Sequence, residues 1–145
     1  IGGGSGGISS ARRAAAHGAK KIAVIEKQRL GGTCVNVGCV PKKVMFNTAT
    51  VMETIHGAKN FGYSIDESAV SFDWASIKAS RDAYVTRLNG IYERNLGNSG
   101  IEYIAGEAAF IGPSQVSVGD RVLTAPNILI AVGGTPTAPK CEGGE

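Results

Sequence analysis

No stretch of this chain has the roughly 18 consecutive apolar residues of a membrane-spanning helix, and no charged-then-apolar leader opens it. A soluble protein off the membrane is the expectation. Neither sign of charge dominates: 15 Lys and Arg stand against 12 Asp and Glu, interspersed, for a net charge of +3. That balance gives no basic surface for nucleic acid. Three cysteines are too few for a secretory disulfide framework, which points to a reducing compartment, the cytoplasm first and a mitochondrion or plastid next. With only two histidines, and no paired CxxC or HxxxH spacing among His17, His56, Cys34, Cys39 and Cys141, a zinc site is disfavoured. Internal repeats and low-complexity linkers are also missing. What remains, 145 residues at 43% hydrophobic content, suffices for one domain with a real core. The chain reads as cut at both ends: a glycine turn follows the single residue Ile1, and the last five residues are a polar Cys-Glu-Gly-Gly-Glu tail.

The chain is rich in glycine, and its most informative glycines flank two thiols. Gly31-Gly32-Thr33-Cys34-Val35-Asn36-Val37-Gly38-Cys39-Val40-Pro41-Lys42-Lys43 sets Cys34 and Cys39 five positions apart. In an unbroken helix such Cα atoms lie roughly 8–9 Å apart, whereas a disulfide needs about 4.4–6.8 Å. The backbone must distort for these thiols to meet, and Gly31, Gly32 and Gly38 permit it. A strained bridge of this kind is readily reduced, which suits a redox centre. The alternative is a plain structural staple. A ring from Cys34 to Cys39 is so short that closing it stabilises little.

The second motif opens the chain. Gly2, Gly4 and Gly7 satisfy G-x-G-x-x-G, and an amphipathic stretch from about residue 8 to 17 follows. Strand end, tight turn and helix start is the order that brings backbone N–H groups to a pyrophosphate. A short β-type run, Ile22-Ala23-Val24-Ile25, then ends at Glu26, whose spacing after Gly7 suits an acid that accepts from a ribose hydroxyl. Alone, such a run could be a flexible linker and Glu26 a solvated strand end. The cysteine segment close behind favours the nucleotide reading.

Further along, residues 44–57 have helical spacing, entered through Pro41 and ended by His56 and Gly57. A loop with Gly62 and Asp66 precedes a long helix over residues 73–98, with Asp73 as N-cap and Gly100 as stop. Its stripe of Trp74, Ile77, Tyr84, Val85, Leu88, Ile91, Tyr92 and Leu96 is expected to be mostly core. Tyr84 and Tyr92 lie about 80° apart around the axis and can share one side. Strands are expected over residues 101–105, 108–111, 115–118, 121–124 and 127–132, with turns at Gly112-Pro113 and Gly119-Asp120.

The thirteen-residue cysteine run resembles the active-site segment of the class I pyridine nucleotide-disulfide oxidoreductases, and Pro41-Lys42-Lys43 is similar to their glutathione- and trypanothione-reducing branch and to the large thioredoxin reductases. Likeness extends to Ser9-Ser10-Ala11-Arg12-Arg13, to residues 80–92, to Ala105-Gly106-Glu107-Ala108 and to Ile128-Leu129-Ile130-Ala131-Val132-Gly133-Gly134, so it covers essentially the whole chain. Relatives often have threonine where Val132 stands. The resemblance implies Cys34 as the thiol that attacks the substrate disulfide, Cys39 as the charge-transfer thiol against a flavin, and Lys42 beside the flavin ring. It implies FAD held by Gly2, Gly4, Ser5, Gly6, Gly7, Glu26, Gly32, Thr33, Cys34, Lys42, Ala108 and Gly133, and a disulfide substrate met by Ser5, Arg12 and Tyr92.

The expected fold is α/β: a partial Rossmann-like FAD-binding domain over residues 1–145, parallel sheet with helices plus a small antiparallel meander. The implied reaction is NADPH-dependent reduction of glutathione disulfide through FAD and Cys34–Cys39. The resemblance places the NADPH site, the dimer-interface domain and an acid–base His-Glu pair from the second subunit of a homodimer outside this chain. Neither His17 nor His56 matches that pair. Trypanothione or thioredoxin reduction, and a non-catalytic FAD-binding fragment, are the rivals. Ser9 and Arg12 depart from the trypanothione pattern, and the short Glu26 to Gly31 spacing departs from the large thioredoxin reductases.

Overall fold

Two short apolar runs far apart in sequence form the centre of the molecule. In the computed structural model, which describes residues 1–138 and 140–143, β1 (Ala23–Glu26) and β2 (Glu102–Ala105) pair in parallel, from Ala23 opposite Glu102 to Glu26 opposite Ala105. A parallel pair needs a long crossover. Here it is helical: α2 (Gly32–Asn36), α3 (Cys39–Gly57), two 3₁₀ turns (Ala58–Phe61 and Glu67–Ala69) and α4 (Trp74–Asn98). Before β1 comes α1 (Ser5–Ala16); after β2 come β3 (Ala108–Gly112), β4 (Gln115–Val118) and β5 (Arg121–Thr124), an antiparallel sheet in the order β3-β4-β5.

Strand alternation distributes the core to two sides of the parallel pair. Val24 points into one cluster with Ile8 of α1, Leu30, Leu96 of α4 and Ile101. Its neighbour Ile25 points the other way, to Ile104 and to Val116 and Val118 of the meander. Helices thus cover one face and the small sheet covers the other, as the expected fold requires. No helix of the described residues is long and apolar enough to cross a membrane.

Helix ends follow the local chemistry. Asp73 caps α4, its Oδ1 accepting from Ala75 N at 2.9 Å, and Gly100 beyond the end takes φ +68. Three expectations need correction. α1 begins at Ser5 and α3 at Cys39, earlier than the amphipathic spacing alone indicates. Pro41 is accommodated inside the first turn of α3, where its missing N–H has no helical partner to lose. Of the α4 stripe only Val85 and Leu96 are buried, while Trp74 and Tyr84 are exposed.

Residues 127–132 do not form an assigned strand. Their ladder partner among the described residues is the single residue Ile1, whose N–H donates to Leu129 O and whose carbonyl accepts from Ala131 N, both at 2.7 Å. Gly2 N in turn donates to Ile25 O at 2.8 Å, so Ile1 and Gly2 thread between β1 and residues 129–131. One residue supplies too few bonds for a strand pair.

Leu96 is the one fully buried large side chain among the described residues. Leu96→Ala is expected to lower unfolding free energy by about 2–5 kcal/mol in a urea titration. A loss below about 1 kcal/mol would contradict its place at the centre of the helical cluster.

Candidate active site: paired thiols beside a glycine loop

Of the opening glycines, Gly2 and Gly7 pack against backbone too closely for any other residue. A Cβ on Gly7 would lie 1.8 Å from Gly2 O, and one on Gly32, at φ +60, would lie 2.7 Å from Gly4 Cα. The loop therefore sits directly on the turn that leads to the first cysteine, and Gly31 N donates to Gly3 O at 2.7 Å across that junction. Glu26 closes the other side: its Oε2 accepts from Gly3 N at 2.7 Å and its Oε1 from Gln28 N at 2.8 Å. Each carboxylate oxygen keeps capacity for a further donor.

At the start of α1 the N-cap is Gly4, with no side-chain cap and no acidic residue in the first turn. Ser5 and Gly6 are exposed there. The unpaired N–H groups and the positive end of the helix dipole present an opening that fits a diphosphate. Glu26 sits at the end of β1, suited to hydroxyls of a ribose. This donor set fits the nucleotide part of a dinucleotide.

Between the thiols the helix is broken, as the disulfide geometry demanded. α2 ends at Asn36 and α3 starts at Cys39, with Val37 and Gly38 as the joint. A Cβ on Gly38 would meet Thr33 O at 2.9 Å and Cys34 Cα at 3.3 Å, so the fold-back needs glycine. Cys34 is half-buried and Cys39 exposed; both are unbridged, as is Cys141. A side-chain hydrogen bond with Cys39 pushes the Cys34 thiol above the ordinary cysteine range, and burial adds to the effect. Cys39 occupies the first position of α3, next to that helix's positive end. Exposed Thr33 lies beside Cys34, and exposed Lys42, in the first turn of α3, has no ion-pair partner among the described residues.

Arg12 and Tyr92, eighty residues apart, line one open cleft of about 730 Å³ with Ser9 and Arg13 of α1 and Asn98 and Ser99 at the end of α4. Two exposed arginines of α1 on one cleft suit carboxylates. Ser5 and the cysteines do not line this cleft. Tyr84 does not share it either: Arg87 stacks on its ring at 5.1 Å. Ala108 is half-buried in β3, packed on the Ile25 cluster. Gly133, at φ +72, follows residues 129–131, and Ala131 of that segment abuts Gly2, Gly6 and Gly7.

Sequence reasoning missed two parts of this arrangement. Arg13, Asn98 and Ser99 join the cleft only because α1 lies along the end of α4. Asn89 reaches Asn36 and the turn before α2 from the middle of α4, a pairing with no signature in either local sequence.

The proximity of the two thiols sets a pH dependence. A raised thiol pKa means less thiolate at a given pH, and Cys39 is the leading cause for Cys34. Cys39→Ala is therefore expected to speed iodoacetamide alkylation of Cys34 in the reduced protein at about pH 8, just below the usual thiol range. An unchanged or slower rate by peptide mapping would reject the interaction.

Glutathione reductases of three yeasts are similar to this chain. That of Schizosaccharomyces pombe is 53% identical over 145 residues, covering 96% of this chain and 31% of that protein. For Yarrowia lipolytica the identity is 48%, with 100% and 33% covered, and for Debaryomyces hansenii 56%, with 86% and 27% covered. The chain thus spans about a third or less of the curated relatives it matches. The family model for pyridine nucleotide-disulphide oxidoreductases matches residues 1–145, the whole length that carries the loop and the thiols, and the chain belongs to that family.

Proposed function

We propose that these residues are the flavin-binding, thiol-bearing part of an enzyme that uses NADPH to reduce glutathione disulfide. The observation that carries the substrate choice is the meeting of Arg12 and Tyr92 in one cleft. Glutathione disulfide is a polycarboxylate, and a guanidinium fork recognises carboxylates in two-pronged fashion. The relatives' printed name, glutathione reductase, supports the same reading.

In this proposal the Gly2–Gly7 loop and the start of α1, with Ser5, would hold the diphosphate of FAD and Glu26 a ribose, while Gly32, Thr33, Cys34, Lys42, Ala108 and Gly133 would supply further contacts. Bound FAD supplies the two-electron relay by which NADPH returns the Cys34–Cys39 disulfide to two thiols. The chain's own chemistry is exchange. Cys34, as thiolate, attacks one sulfur of glutathione disulfide, forming a mixed disulfide and releasing one glutathione thiolate, which takes up a proton. Cys39, deprotonated, then attacks Cys34 sulfur, releasing the second glutathione and closing Cys34–Cys39. Lys42 contributes positive charge near the developing anions.

The acid that protonates the leaving thiolate comes, in this reading, from the second subunit of a homodimer, and NADPH binds outside these residues. His56 is no substitute. It pairs with Glu67 at 2.7 Å at the far end of α3, seventeen positions from Cys39, roughly 26 Å along the axis. A cytoplasmic or other reducing compartment suits the exchange chemistry.

Two substitutions in the full-length enzyme test the proposal. Cys34→Ser is expected to abolish NADPH-dependent reduction of glutathione disulfide while FAD remains bound; retained turnover would assign the chemistry to another nucleophile. Arg12→Glu is expected to raise KM for glutathione disulfide by an amount equivalent to about 1.5–3 kcal/mol, with the flavin spectrum and reduction by NADPH unchanged. Equal kinetics for both proteins would leave Arg12 a surface charge.

A further inference from the structure

Cys34 is carried by the five-residue helix α2, far too short to hold its shape alone. The turn that feeds it is softer still, with Gly31 at φ +103 and Gly32 at φ +60 in succession. Beside the Gly31 N to Gly3 O bond and the buried Val35, a pair of asparagine amides restrains both ends of α2. Asn36, at the last position of α2, donates to Gly32 O at 2.9 Å and Leu30 O at 3.2 Å. Asn89 of α4 donates to Leu30 O at 2.7 Å and to Asn36 Oδ1 at 3.0 Å. An amide has two hydrogens to give, and these two acceptors take both of Asn89's.

α4 is the opposite kind of element. It runs 25 residues and is anchored by Val85 and Leu96, on either side of Asn89, both buried. Asn89 therefore adds a tie from a fixed helix to a turn whose other anchor is the Gly31 N to Gly3 O bond. Neither Asn36 nor Asn89 is needed to bury apolar surface, and each is half-buried. The pair spans the α2–α4 interface at the point where the thiol-bearing segment begins.

We propose that Asn89 is a positioning residue for the Cys34–Cys39 pair, acting through Asn36 and the Leu30 carbonyl to hold α2 where the two sulfurs can bond. The inference rests on the reading of the cysteines as a reversible disulfide. Closing that bond takes two electrons and two protons from the two thiols; oxidised dithiothreitol accepts both and opens to its dithiol. Restraining α2 beforehand raises the effective concentration of one thiol at the other, so the latch favours the disulfide. Without it the pair is harder to oxidise.

The test is an anaerobic titration of the full-length flavoenzyme in dithiothreitol redox buffers, quenched by alkylation and read by peptide mapping of the bridged fraction. Asn89→Ala and Asn36→Ala are each expected to lower the equilibrium constant for disulfide formation by about three- to tenfold, the worth of a hydrogen bond. Tenfold corresponds to about 30 mV in this two-electron couple. The double variant is expected to shift by less than the sum of the singles, since one latch is lost in all three. Thr86→Ala, whose hydroxyl only reaches back to Asp82 O on the same helix, is expected to titrate as wild type. A wild-type midpoint in Asn89→Ala, with only the melting temperature lowered, would overturn the proposal. Should Asn89→Ala fail to fold, Asn36→Ala leaves α4 untouched, and an unshifted midpoint there overturns it equally. A wild-type protein that forms no Cys34–Cys39 bridge at all would instead overturn the reading of the cysteine pair, and this inference with it.

Discussion

The contact on which the rest depends is the one between two backbone turns, where Gly31 N donates to Gly3 O and Gly32 stands against Gly4. It joins the loop suited to a dinucleotide to the turn that launches the cysteines. Close backbone approach of this kind excludes a side chain at Gly32, where a Cβ would lie 2.7 Å from Gly4 Cα. Glu26 stiffens the same junction by accepting from Gly3 and Gln28. A flavin held on the loop and a thiol carried by α2 would thus share one rigid frame, anchored in the Ile8, Val24 and Leu30 cluster beneath.

Helix interruption is the second constraint. Thiols five positions apart cannot approach on a regular helix, and the chain answers with the Val37-Gly38 joint, beyond which α3 starts directly at Cys39. The break places Cys34 on a short, dependent element and Cys39 on a long one. That asymmetry explains why the first thiol is half-buried and influenced by the second, and why its position is decided by contacts from α4.

The cleft proposed for the substrate occupies a different part of the molecule. Arg12 and Tyr92 face each other across the cleft between α1 and the end of α4, apart from the thiols. α1 connects the two regions: its first turn adjoins the glycine loop and its later turns carry the arginines. α4 does the same from the other side, with Asn89 toward the thiols and Tyr92, one turn on, toward the cleft.

Much of this was legible from residue order, because it depends on interactions within a few positions. The glycine loop, the helix over 73–98 with its Asp73 cap, the turns of the meander and the need for a break between Cys34 and Cys39 are all local consequences of φ/ψ freedom, capping and thiol reach. Residues 127–132 show the limit. Their apolar, β-type sequence reads as a strand, yet strand formation is decided by pairing with distant segments, and the structure assigns no strand there. The stripe on α4 shows the same limit in burial, since which part of an amphipathic face is covered is set by the elements packed against it, and here only Val85 and Leu96 are buried. Only tertiary structure could bring Asn89 to Asn36, or Arg12 and Arg13 to Asn98 and Ser99. Such meetings are produced by packing α1, α2 and α4 on a common core, and contacts across so many residues leave no period or spacing in the chain itself.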